Sequence, residues 1–137
     1  MSEFLLEIIT PEKQFFMGEV SAVVCQTCDG ELGILKGHQA MVASLEIGEI
    51  KINISGNWKN AFISEGFLEV RPDETVIFAQ CCDWPEDIDE VRAEEAKMRA
   101  LHDIEHAQGI FEHKHSEISL ARAMTRLKIK NKSKGLR

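Results

Sequence analysis

The spacing of apolar positions changes once along this chain. Up to about residue 80 apolar residues come in short runs or alternate with polar ones, and turn residues separate the runs. Phe4 to Ile9 is a mostly apolar run stopped by Thr10-Pro11, as expected of a strand ended by proline. Val20 to Cys25 is a second run, closed by Cys28-Asp29-Gly30, and Leu32 to Leu35 a third, broken by Gly33 and closed by Gly37. Glu49 to Ser55 alternates strictly, which places Ile50, Ile52 and Ile54 on one buried face. Gly56-Asn57 turns the chain into Ala61 to Ile63. Leu68 to Val70 and Val76 to Ala79 flank Arg71-Pro72-Asp73-Glu74, a hairpin turn. This pattern predicts a sandwich or barrel over about the first 80 residues.

Beyond Asp83 the period becomes helical. Asp87 is expected as an N-cap, with Glu90 completing a capping box and Pro85 discouraging any earlier start. The first helix is expected from Asp87 to about Ala107, with Ala93, Ala96, Ala100, Ile104 and Ala107 on one stripe. Gly109 supplies the break, and a second helix follows from about Lys114 to Lys130, with Leu120, Ala123, Met124 and Leu127 on one face. The predicted class is α+β: an N-terminal antiparallel β-sandwich over residues 1–84, then a C-terminal antiparallel two-helix hairpin over residues 85–137. Alanine buries little area, so the contact between the helices is expected to be modest and able to open. Opened into one rod, about 45 residues would reach roughly 65 Å.

Charge sharpens this picture. The net charge of −7 argues against nucleic-acid binding. Asp83 to Glu117 holds 11 acids and 4 Lys or Arg, whereas Ile118 to Arg137 holds 7 Lys or Arg and no acid. Adjacent segments of opposite sign can attract each other, or the basic one can seek an acidic partner. No apolar run reaches the roughly 20 residues of a membrane helix, and Met1-Ser2-Glu3-Phe4 lacks the features of a signal peptide. The expectation is a soluble, cytosolic protein whose Cys25, Cys28, Cys81 and Cys82 are reduced thiols.

Candidate chemistry lies in three places. Arg92 and Arg99 are seven apart on the first helix and Arg122 and Arg126 four apart on the second. In a closed hairpin these cations can converge on a polyphosphate, with Asp89 accepting from a base or sugar. No G-x-x-x-x-G-K-[ST] is present. Gly30-Glu31-Leu32-Gly33-Ile34-Leu35-Lys36-Gly37-His38 carries three glycines, which points to unusual backbone angles or close approach of another chain. His102-Asp103-Ile104-Glu105-His106 matches the H-x-x-E-H of some zinc peptidases. A thin hairpin offers such an enzyme neither cleft nor third ligand, so only adventitious metal is expected there.

The order of motifs resembles the epsilon subunit of bacterial rotary ATP synthase over nearly the whole chain. The residues that carry the likeness are Ile9-Thr10-Pro11-Glu12, Phe16, Gly18, the segment Gly30 to Leu35, Gly37-His38, Leu45, Gly48, Glu65-Gly66-Phe67-Leu68-Glu69-Val70 and Ile88-Asp89-x-x-Arg92-Ala93. The chain departs from that family at Lys36 and at Gln39-Ala40, where proline is common. The resemblance implies a non-catalytic subunit of the central stalk on the cytoplasmic face of the bacterial membrane. Its partners would be the gamma subunit, the c-ring and the alpha and beta subunits, with the segment of Glu31, Gly33 and His38 at the interface with ring and gamma. It also implies helices that restrain ATP hydrolysis. No cofactor is required, but ATP is implied as a regulatory ligand at Ile88, Asp89, Arg92, Ala93, Arg99, Arg122 and Arg126, with Asp83 as a further candidate. Two readings from other classes stand beside it: a free-standing nucleotide-sensing adaptor and the H-x-x-E-H peptidase.

Overall fold

Residues 2–135 are described by the computed structural model, and among them the period-two segments form strands. In chain order these are β1 (Phe4–Ile9), β2 (Gln14–Val20), β3 (Ala22–Thr27), β4 (Gly30–Leu35), β5 (Met41–Leu45), β6 (Gly48–Ile54), β7 (Asn57–Ile63), β8 (Gly66–Val70), β9 (Glu74–Ala79) and β10 (Cys82–Asp83). They pair in the order β10-β7-β6-β3-β5-β8-β9-β1-β2, with β4 on β3. A single residue pair, Thr27 with Leu45, joins β3 to β5. At that narrow link the sheet passes from one layer of a sandwich to the other. All pairings are antiparallel except β1 with β9, an exception that alternation along the chain could not reveal.

Alternation sets the core. Phe4, Leu6 and Ile8 of β1 point inward, as do Ile50 and Ile52 of β6, while Ile54 at the strand end is half-buried. Val23, Ile34, Ile63, Leu68 and Ile77 complete an interior of branched side chains. Two strands escaped the pattern. β2 reads Gln-Phe-Phe-Met-Gly-Glu-Val and buries only Val20; its register against β1 shifts between Ile8 and Ile9. β5 buries only Leu45. In both strands apolar residues such as Met17 and Val42 are exposed, so the apolar pattern does not mark a buried face.

The turns follow from local chemistry. The β6–β7 turn falls at Ser55-Gly56, one residue before the expected site, because both residues have positive φ (53° and 84°). This suits a two-residue hairpin loop. The Asn53 side chain accepts from the Gly56 amide at 2.9 Å. The Arg71–Glu74 turn closes where expected, with the Arg71 amide donating to the Glu74 carbonyl at 2.8 Å. The Arg71 side chain bonds both Glu69 and Glu74, and its hydrogen bond holds the Glu69 carboxyl below its ordinary range. Gly66 is required by packing, since a Cβ there would lie 1.9 Å from the Phe78 carbonyl oxygen of β9.

The chain divides into two compact units between Asp83 and Trp84. The second contains a 3-10 turn (Pro85–Asp87), α1 (Glu90–His106) and α2 (Ile110–Ser133). The N-cap is Asp89, not Asp87. Both acids have the right chemistry, but Ile88 between them is extended (φ −77°, ψ 121°) and buried. This places Ile88 and Ala93, also buried, at the two positions of a hydrophobic staple around Asp89. The second helix begins at Ile110 rather than Lys114, directly after the N-cap Gly109. The Glu112 carboxylate reaches back to the Gln108 amide at 2.9 Å and starts that first turn. Along the hairpin, Ala93 and Ala100 of α1 and Ser116, Ala123, Leu127 and Ile129 of α2 are buried; Met124, expected on that face, is exposed.

Candidate functional site

The expected ligand site is built on the start of α1. The Asp89 carboxylate accepts from the Arg92 amide at 3.1 Å, so one oxygen caps the helix and the other can serve a ligand. Ile88-Asp89-x-x-Arg92-Ala93 is thus first a helix-initiation device: staple, cap and capped amide. Arg92 and Arg99 are exposed, whereas Arg122 and Arg126 are half-buried, with the Nε of Arg122 fully enclosed.

The ends of the hairpin are tied. Lys130 Nζ donates to the Pro85 carbonyl at 3.0 Å, and Lys134 pairs with Glu90. Part of the basic tail therefore meets the acidic start of its own unit, as the charge segregation allowed. These ties also set the level of each arginine along the hairpin. At about 1.5 Å per residue, Arg99 lies roughly 13 Å from Glu90 and Arg126 roughly 12 Å from Lys134. Arg122 is about one turn further on, and Arg92 stays beside Asp89, roughly 10 Å away along the axis. Along the axis Arg99 and Arg126 thus fall at similar levels, with Arg122 about one turn beyond and the Asp89 cap nearer the tied end. Asp83, the further candidate, is in β10 opposite Phe62 and belongs to the other unit.

The glycine-rich segment is β4 and the turn after it, an ordered edge strand rather than a loop. Gly30 and Gly37 have positive φ (113° and 86°), but Gly33 does not, and a Cβ on Gly33 would meet nothing within 4 Å. Glu31 is exposed and accepts from Gln26 at 3.3 Å; Leu35 is 63% exposed. His38 is half-buried, and its Nδ1 lies 2.9 Å from the Gln39 carbonyl. Sequence reasoning missed Leu35 as a surface feature, because an apolar residue ending an apolar run reads as core.

The thiols are free. Burial pushes Cys25 up to about 11 and Cys82 up to about 12, so both are neutral packing groups. Among the described residues no group of three or more His, Cys, Asp or Glu is placed to hold a metal. His102 and His106 stack on the last turn of α1, but the third ligand a zinc peptidase needs is missing from that set.

A β-sandwich followed by an arginine-bearing helical hairpin defines a two-module class of chain. Residues 3–85 match the profile of the ATP synthase delta/epsilon chain β-sandwich domain, and residues 86–131 that of its long α-helix domain. A Ruminiclostridium cellulolyticum protein named ATP synthase epsilon chain is 39% identical over 132 residues, 96% of this chain and 98% of the relative. One of the same name from Caldicellulosiruptor bescii is 39% identical over 134 residues, 98% of each chain. Among solved structures, a chain of the Euglena gracilis mitochondrial ATP synthase OSCP/F1/c-ring assembly shares the fold, with a TM-score of 0.77 at 22% identity over 91% of this chain and 79% of that one. This chain belongs to the delta/epsilon family of ATP synthase chains, on the side of the bacterial epsilon subunits. No helix among the described residues is long and apolar enough to cross a membrane.

Proposed function

We propose that this chain is the central-stalk epsilon subunit that links the rotating membrane ring to the catalytic head and restrains ATP hydrolysis through α1 and α2. The observation that carries the regulatory part is where the hairpin keeps its apolar side chains. Ala93 and Ala100 of α1 and Ser116, Ala123, Leu127 and Ile129 of α2 are buried, so α1 contributes only alanines, while Val91, Met98, Leu101, Ile110, Phe111, Ile118 and Met124 are exposed. Each buried methyl contributes only about 0.8 kcal/mol. Such a pair can exchange its self-contact for the alpha and beta subunits, with the basic run from Arg122 to Lys134 suited to an acidic surface of beta.

ATP is the ligand that favours the closed form. The nucleoside lies at the Asp89 and Ile88–Ala93 end, Arg92 sits beside it, and Arg99, Arg122 and Arg126 take the polyphosphate. A ligand at 100 times its dissociation constant stabilises the form it binds by about 2.7 kcal/mol, enough to decide a weak equilibrium. The β4 edge is the face for gamma and the c-ring at the cytoplasmic side of the membrane. Gly33, which its own fold does not require to be glycine, leaves room there for a neighbour's backbone between Glu31 and His38.

Two measurements test this. Removal of residues 88–137 from the assembled complex is expected to raise ATP hydrolysis at low ATP, where the hairpin is free to open; unchanged activity there sinks the regulatory reading. Calorimetry with ATP is expected to show one site that Arg122→Ala and Arg126→Ala weaken. No heat at millimolar ATP removes the nucleotide. The free-standing adaptor predicts the same heat but no co-purification with gamma.

A further inference from the structure

The proposed nucleotide site draws on two stretches far apart in sequence, and a side chain outside the ligand set ties them together. Lys130 Nζ donates to the Pro85 carbonyl at 3.0 Å, a partly buried contact between residues 45 apart. The same oxygen accepts from the Ile88 amide at 3.2 Å and so closes the 3-10 turn. A carbonyl has two lone pairs, so it can hold both bonds at once. That turn delivers Ile88 to its buried place and Asp89 to the cap of α1. Lys130 stands on α2 one turn beyond Arg126 and two beyond Arg122. One ammonium thus connects the helix that carries two of the guanidiniums to the turn that shapes the Ile88–Asp89 end.

Its place along the hairpin gives this contact leverage. The bend at Ala107–Gly109 holds one end of the helix pair, and Lys130 is roughly 30 Å from Ile110 along α2. At that distance a small change in the angle between the helices separates them most. The buried residues of α1 are two alanines, which offer no interlocking side chain to resist such a change. The Lys134–Glu90 pair one turn further on is open to water and is screened there. Lys130 is half-buried, and its acceptor belongs to a buried proline in an already closed turn. We propose that Lys130 is a positioning residue of the nucleotide site: its bond to Pro85 holds α2 where Arg122 and Arg126 meet a ligand seated at Ile88–Asp89, and Lys130 itself does not touch that ligand. The inference rests on the ATP reading above. Without this bond the arginines remain, but α2 can leave the turn, and ATP must first close the hairpin. Apparent affinity then falls with the fraction of chains already closed.

The test uses the full chain. Methionine is a good helix former of similar length, so circular dichroism of Lys130→Met is expected to match the parent. Without ATP, exchange of the Ile88, Arg92 and Ala93 amides is expected to speed up about tenfold in Lys130→Met, with the strand amides unchanged. The carbonyl-carbon resonance of Pro85 is expected to move in the same ligand-free variant and to stay near its parent position in Lys130→Arg, whose guanidinium can still donate. Calorimetry is expected to show ATP binding weakened about tenfold in Lys130→Met and largely recovered in Lys130→Arg. A side chain that met only the phosphates would alter ATP binding but neither ligand-free readout. Parent-like ATP binding in Lys130→Met overturns the proposal, and so does weaker binding with the ligand-free exchange and the Pro85 resonance unmoved. No heat from ATP in the parent chain is a different failure: it removes the nucleotide reading, and this inference with it.

Discussion

The two units of this chain put their apolar residues in opposite places. In the sandwich, Leu6, Ile8, Ile50, Ile52, Leu68 and Ile77 are wholly enclosed. In the hairpin, α1 buries only Ala93 and Ala100, α2 buries Ser116, Ala123, Leu127 and Ile129, and Phe111 and Ile110 are 92% and 77% exposed. The first arrangement gains stability from area removed from water and has one good packing. The second gives up little by opening and offers apolar surface to something else. One unit suits an anchor and the other a moving arm.

The strongest challenge to this contrast is a pair of leucine truncations. Leu68→Ala in β8 is expected to cost about 2–5 kcal/mol, read from the denaturant midpoint, with loss of amide protection across the strands. Leu127→Ala in α2 is expected to cost less and to act locally, raising amide exchange in α1 and α2 but not in the strands. If both substitutions loosen the strand amides equally, the anchor-and-arm contrast is wrong.

The next effect belongs to the sandwich alone. Cys25 and Cys82 are buried thiols with raised folded-state values. The unfolded chain ionises them first, so their contribution is intact below about pH 9 and is lost as pH climbs toward 11 for Cys25 and 12 for Cys82. Two pH units correspond to about 2–3 kcal/mol for Cys25, an order-of-magnitude figure. Chemical unfolding from pH 8 to 10.5 is expected to show a falling midpoint, less steep in Cys25→Ala. An exposed-thiol reagent is expected to modify Cys28 quickly and these two slowly. Equal rates at all four cysteines would mean the sandwich is as open as the hairpin.

The contrast also explains what the sequence made legible. Strands with a buried face, such as β1 and β6, were readable by alternation because burial writes a period of two. β2 and β5, whose apolar residues do not track burial, were not, whereas β4 buries only Ile34 but is a compact apolar run bounded by glycines. The hairpin was readable as two helices, yet its boundaries slipped at both starts. Asp87 and Asp89 carry the same capping chemistry, and only the burial of Ile88 chooses between them. Gly109 looked like the middle of a loop until Glu112 was seen to reach back to Gln108. Spacing marked the arginines and Asp89 as candidates, but it did not show that Asp89 caps α1. That role needs the distance to the Arg92 amide.

Asp89, the cap of α1 and a proposed ligand residue, is the sharpest probe of the arm. Asp89→Ala removes the cap and is expected to cost about 1 kcal/mol locally, read as faster exchange of amides 90–93 and as weaker ATP binding. Asp89→Asn keeps a capping oxygen but removes the charge, so it is expected to preserve those amides within a few tenths of a kcal/mol. ATP affinity in Asp89→Asn then separates the two roles. A loss there shows that the carboxylate meets the ligand, and parent-like binding shows that Asp89 acts only by starting the helix.

The smallest expected effect tests the tie at the hairpin's ends. Lys134 and Glu90 are paired but both largely exposed, and such pairs are worth about 0.2–1 kcal/mol at most. Lys134→Ala is expected to leave the sandwich midpoint unchanged and to raise exchange at the start of α1 by less than about fivefold, an effect that fades in high salt. Lys130→Met removes a donor to a backbone carbonyl of a partly buried contact and is expected to act more strongly and without salt dependence. If instead the Lys134 change loosens the whole hairpin, surface charge closes the arm, and the alanine contacts do not set its equilibrium.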